Sequence, residues 1–344
     1  MFAYMMVGGV FLYLLNNYLV FWQGLPGPYN LFVHLGWLGI SEGQLEADQV
    51  RQGWWQVAGY LGCLLLLAIY AQSNRHLTLH QESQRFSRLA AYLVRSAFWA
   101  VTLIGLADML ISFLRVEQML GLFIGDELVA ELGRPNFRGT YVHYPLILLS
   151  LVVAFFLRSI SFAWLGIMVV MSEFAIVISR FVFSYEQAFM GDLVRFWYAA
   201  MFLFASAYTL VHEGHVRVDV LYAGFSRVKK AWSNIVGCLL LGIPLCWVIL
   251  MQGMGGKGHS INSPLLSFEI SQSGYGMYVK YLMAGFMVVF AVTMIVQFVA
   301  YLLENISRVI NPDDDEQGTD PATNQHCGTG DDSLASDIEA EARI

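Results

Sequence analysis

Apolar residues fall into eight long runs separated by short polar stretches, at about residues 2–22, 54–71, 96–114, 141–157, 162–182, 193–211, 233–251 and 281–303. Each run approaches or exceeds the roughly 17–20 residues that carry a helix across the hydrocarbon core of a bilayer. Trp54 and Trp55 at one end of the second run and Tyr70 at the other sit where an interfacial aromatic belt would put them. Pro145 falls in the first turn of the fourth run, where a helix tolerates proline. The pattern predicts an all-α fold: a polytopic helical membrane protein of about eight transmembrane helices. The first run has no positively charged segment before it and no small-residue cleavage site, so it is expected to stay as an anchor.

Composition supports this class. Of the 344 residues 57% are hydrophobic and 13% charged, against about 25% charged in soluble domains. The net charge of −7 is misleading, because the last 34 residues, from Asn311, hold ten Asp or Glu and one Arg. That tail is acidic, punctuated by Gly and Pro and nearly free of large apolar residues. Such a segment cannot bury enough surface to offset its ordering entropy, and disorder is expected there. The rest is close to neutral, with no basic patch sized for nucleic acid. Placing the N-terminus in the cytoplasm puts 11 of the 19 basic residues inside, including the clusters Arg85, Arg88, Arg95 and Arg227, Lys229, Lys230. The positive-inside rule therefore predicts cytoplasmic N- and C-termini.

Candidate chemistry is sparse. The four cysteines show no C-x-x-C spacing, so neither a disulfide framework nor a thiolate metal site is expected. The run His212-Glu213-Gly214-His215 resembles a zinc motif at first sight. Zinc hydrolases, however, need histidines at i and i+4 on one helix face, and here they stand at i and i+3. The histidines lie in loops, in the tail or at span ends rather than opposite one another in helix interiors, which argues against haem. No metal and no cofactor is expected. Charges inside spans are costly and usually functional. Glu173 lies mid-span, with Arg180 seven residues on along the same face, and pairing with a base on a neighbouring helix is the favoured expectation. Asp108 is inside the third run, with Arg115 one heptad later, and is expected near an interface.

From about residue 161 onward the chain resembles the small membrane subunit of tripartite ATP-independent periplasmic (TRAP) transporters, the DctQ-like family. The resemblance rests on the order of several short motifs. "SRFVFSY" supplies Arg180 at the end of a first helix, and "GDLVRFWY" supplies Asp192 and Arg195 before a second. A G-H-x-R-x-D segment follows with Gly214, His215, Arg217 and Asp219, and "SRVKKAW" leads into a third helix. "SFEISQSGYGMYVKYL" then offers Ser267, Glu269, Ser271 and Lys280 before the last helix, with spacing somewhat off the family's usual pattern. The expected organisation is an N-terminal extension of about four helices (1–160), a four-helix small-permease domain (161–310) and the acidic tail (311–344).

The resemblance implies a non-catalytic subunit, not an enzyme, in a bacterial inner membrane. It would brace the scaffold of a large DctM-like permease. That permease would carry the sodium and substrate sites and take up an organic anion (a dicarboxylate, a 2-oxo acid or similar) delivered by a periplasmic binding protein. Implied partners are the permease, the binding protein and membrane lipids, with no nucleic acid. The alternatives are a stand-alone secondary transporter using Glu173 and Asp108, or a membrane oxidoreductase subunit. Residues 1–160 lie outside the resemblance.

Overall fold

The computed structural model describes residues 1–38, 45–157, 162–211, 222–271 and 276–311. Among these there is no strand, and eight helical segments are long and apolar enough to cross a membrane. In chain order the helices are α1 (Phe2–Phe21), α2 (Gly27–His34), α3 (Ala47–Ser73) and α4 (Leu79–Val116), then the short α5 (Leu120–Ile124), α6 (Asp126–Leu132) and α7 (Pro135–Arg138). They continue with α8 (Tyr144–Phe156), α9 (Phe162–Phe183), α10 (Ala188–Val211), α11 (Arg227–Gly237), α12 (Ile243–Met254), α13 (Asn262–Ser267) and α14 (Lys280–Ile310).

Local chemistry sets several of these boundaries. Thr78 caps α4, its Oγ1 accepting the Gln81 backbone N–H at 3.2 Å while the Gln81 side chain reaches back to the Thr78 N–H. This reciprocal arrangement satisfies two donors that a helix start otherwise leaves orphaned. Glu46 and Gln49 repeat it at α3, so that helix begins several residues before its apolar run. Two spans contain a π-helical turn, Gly139–His143 and Cys238–Gly242, each followed within two residues by a proline, Pro145 and Pro244. Proline lacks an N–H, and its ring crowds the carbonyl four residues back. Widening the preceding turn removes that conflict without stopping the helix. The fourth span therefore starts at Pro135, earlier than its apolar run, and Pro244 does not break the seventh.

The centre of the bundle is α14. It packs on α4, α10, α11, α12, α13 and α1, and 67% of its apolar window is buried. Around it the buried core is completed mainly by α4, α10, α12 and α1, and α4 also contacts α8 and α10. Gly105 on α4 lies flat against the Trp197 ring of α10, where a Cβ would collide with the indole. The Trp197 Nε1–H donates to the Val101 carbonyl at 3.2 Å across the same contact. Of the first four spans, α1 and α4 thus pack directly on α14, α8 packs on α4, and α3 lies outside them against α1 and α2. At the other extreme, α9 packs on α10 and has 6% of its apolar window buried.

Candidate functional site

The segment Gly276–Val279, just before α14, is non-helical yet fully buried. Buried backbone N–H groups need partners, and here two carboxylates from different parts of the chain supply them. The Tyr278 N–H donates to Asp108 Oδ2 at 2.7 Å, and the Met277 N–H donates to Asp192 Oδ2 at 3.1 Å. Asp108 belongs to α4 and Asp192 to α10. Two helices far apart in sequence therefore hold consecutive amides of one segment.

Asp108 is the centre of a larger cluster. Its Oδ1 accepts Arg138 Nη1 at 3.0 Å and lies 3.2 Å from His143 Nε2, and all three side chains are 0% exposed. Arg138 Nη1 also reaches Ser112 Oγ at 3.3 Å, and Nε donates to the Leu132 carbonyl at 3.0 Å. The guanidinium lies 4.1 Å from the centroid of the Tyr278 ring, a cation–π contact. Arg138 Nη2 has no hydrogen-bond partner among the described residues. His143 Nδ1 stands 2.9 Å from the Tyr281 hydroxyl. Since a carboxylate only accepts, the partners assign the proton on Nε2, and Tyr281 donates to Nδ1. Arg115 donates to the Tyr278 hydroxyl at 2.5 Å, and that hydroxyl donates to the Gly133 carbonyl at 3.0 Å.

This arrangement corrects two expectations. Asp108 does not lie at an interface but is fully buried and paired with Arg138 and His143. His143 sits inside the bundle and not at a wet span end. The sequence carried a signal for both: an aspartate in an apolar run requires a buried base, and the nearest bases upstream of the fourth run are Arg134 and Arg138.

The residues singled out from the family resemblance are partly brought together. Ser271 Oγ donates to Asp192 Oδ2 at 3.1 Å, and Arg195 Nη1 stands 3.6 Å from Asp192 Oδ1. Lys280 Nζ meets Glu269 Oε1 at 2.5 Å, and the Tyr281 N–H donates to the Glu269 carbonyl at 3.0 Å. Asp192, Arg195, Glu269, Ser271 and Lys280 therefore gather around the segment that opens α14. Ser267 does not join them, its hydroxyl returning to the Ser263 carbonyl at 2.8 Å. Arg180 pairs with Glu186 at 3.4 Å on the surface. Nearby, the Tyr185 hydroxyl donates to Glu117 at 2.7 Å, and burial together with that carboxylate pushes its pKa up to about 12.

Glu173 meets no base of this chain among the described residues. It is exposed on α9, and among the described residues it has neither a hydrogen bond nor an ion pair. Gly214, His215, Arg217 and Asp219 lie outside the described residues. No group of three or more His, Cys, Asp or Glu able to hold a metal occurs among those that are described.

Residues 167–308 match the family model for the DctQ component of tripartite ATP-independent periplasmic transporters. The match runs from within α9 through nearly all of α14. The chain thus carries a TRAP small-permease domain, preceded by additional helices that could span the membrane. Comparison with curated proteins gives no match, and neither does comparison with solved structures.

Proposed function

We propose that this protein is the small membrane subunit of a TRAP transporter. It braces the scaffold of a large permease that takes up an organic anion, coupled to sodium and supplied by a periplasmic binding protein, in a bacterial inner membrane. Both termini face the cytoplasm in this arrangement.

The observation that carries the proposal, beyond the family match, is the state of α9. Its exposed face is a row of large apolar side chains, among them Trp164, Ile167, Val170, Met171, Phe174 and Phe181. In their midst stands Glu173, exposed and unpaired among the described residues. A carboxylate facing hydrocarbon is costly, whereas one facing a partner helix that carries a base or a polar donor is not. The face is therefore suited to a protein neighbour. The rest of the chain is suited to a rigid brace, since its most deeply buried charges form one cross-linked cluster. A stand-alone carrier would need a carboxylate free to bind and release an ion. Asp108 is instead occupied by a guanidinium, an imidazole and a backbone amide, and Glu173 stands on the outer face of the least buried span, away from the bundle interior.

Co-expression with the large permease and affinity purification through this chain test the proposal. A stoichiometric complex is expected, and Glu173→Leu should weaken it while the isolated chain keeps its unfolding midpoint. Substrate uptake by this chain alone in proteoliposomes would overturn it.

A further inference from the structure

Between the N-terminal helices and the small-permease domain lies a cavity of about 460 Å³. Its walls come from α1, α4 and α8 on one side and from α10 and α14 on the other. The volume is in the range of about 300–1,000 Å³ that ligand pockets occupy. Its walls offer water almost nothing. Ser96 gives its hydroxyl to the Tyr92 carbonyl at 2.9 Å, Ser150 to Ile147 at 2.7 Å and Thr293 to Val289 at 2.8 Å. The Tyr281 hydroxyl is committed to His143. The remaining surface is hydrocarbon and aromatic carbon, and water entering such a space would leave its own hydrogen bonds unmet.

The shape is as specific as the chemistry. At one end α1 and α8 meet through Trp22 and Tyr144, whose ring centroids are 6.4 Å apart, and Phe268 packs on both at 6.2 and 5.9 Å. Phe268 holds a left-handed backbone (φ +50°) to place its ring there. Below this aromatic roof the two helices do not pack closely on each other. Phe11 and Leu151, which line the cavity, are 39% and 38% exposed, so it opens sideways. Along α14 the lining runs from Tyr281 to Thr293, about 18 Å at about 1.5 Å of rise per residue. One leaflet of hydrocarbon is about 15 Å deep. The crevice therefore begins beneath a belt of Trp and Tyr, as found at membrane interfaces, and ends near the bilayer midplane.

We infer that this crevice binds one acyl chain of a membrane phospholipid, entering from the side between α1 and α8. The chain fills the seam between the N-terminal helices and the small-permease domain, and so becomes a shared packing element of the two. The inference is independent of the transporter assignment, because it rests on the cavity alone.

The test uses the full chain in nanodiscs made with a phospholipid bearing a diazirine midway along one acyl chain. Crosslinks mapped by mass spectrometry should concentrate on residues such as Phe11, Leu14, Ala97 and Val288. Native mass spectrometry after detergent exchange should retain about one phospholipid per chain. Position 285 gives a second arm, since a Cβ there meets only Leu265 Cδ2 at 3.6 Å and a larger side chain grows into the crevice. Gly285→Phe should lower the retained phospholipid at least fivefold. Crosslinks spread over the exposed faces of α3 and α9 in proportion to area would overturn the inference. So would retention of an isoprenoid in place of phospholipid, or equal retention by a folded Gly285→Phe. If that variant fails to fold, the crosslink map of the unaltered chain decides.

Discussion

Replacing Asp108 with Leu would leave Arg138 charged, 0% exposed and without its counter-ion. Removing one partner of a buried pair costs about 3–5 kcal/mol, because the other is stranded in a medium that solvates it poorly. The Tyr278 N–H, bonded to Asp108 at 2.7 Å, would be orphaned as well, a further penalty of about 1–3 kcal/mol if nothing replaces the acceptor. The two terms overlap, since relaxation around one relieves the other, and a net loss of at least about 3 kcal/mol is expected. For a chain of 344 residues, an unfolding entropy of about 2.1 cal/mol/K per residue makes each kcal/mol worth about 1.4 °C, so the unfolding midpoint in mild detergent should fall by roughly 4 °C or more. Arg138→Met should give a loss of similar size, because Asp108 then keeps only its imidazole and amide partners. The double variant Asp108→Leu, Arg138→Met removes both charges together and should be less destabilised than the two single effects added. The coupling, read by differential scanning fluorimetry of all four proteins, should be at least about 2 kcal/mol. Additive single effects, or a loss under about 1 kcal/mol for Asp108→Leu, would refute the view that this cluster ties the first spans to the last helix.

Further outcomes can be checked by the same fluorimetry. Gly105→Leu should destabilise by about 1–3 kcal/mol, because its side chain must displace the Trp197 ring; an unchanged midpoint would mean that α4 and α10 are not in that close contact. Asp192→Ala should cost about 1–3 kcal/mol by orphaning the Met277 amide, and Asp192→Asn, which keeps an acceptor oxygen, should recover most of it. Glu269→Gln should cost less than about 1 kcal/mol, since the pair with Lys280 is roughly half exposed and screened by water. A large loss there would assign Glu269 a role in opening α14 beyond that ion pair.

The residues that gather at the start of α14 show how differently single features were legible. Glu269, Ser271 and Lys280 stand within twelve positions of one another, so a local motif could present them together. Asp192 and Asp108 are 85 and 170 positions from the amides they hold. Asp192 was marked by a family pattern. Asp108 was marked only as a charge in an apolar run, expected near an interface. Glu173 was expected to meet a base on a neighbouring helix, and within this chain it is exposed on the least buried span, without a partner among the described residues.

The sequence by itself determined the number of spans and the place of each apolar run, with the helix starts after Glu46 and Thr78 falling ahead of those runs. Run length and capping are local, set by a few adjacent residues and by the thickness of the bilayer. Only the tertiary structure decided which span lies at the centre, which carboxylate meets which base and where a crevice opens between α1 and α8. In helices that are apolar on nearly every side, no polar stripe distinguishes the face toward protein from the face toward lipid. That choice is left to small residues such as Gly105 and to the few buried charges, whose partners are found only once the helices are placed side by side.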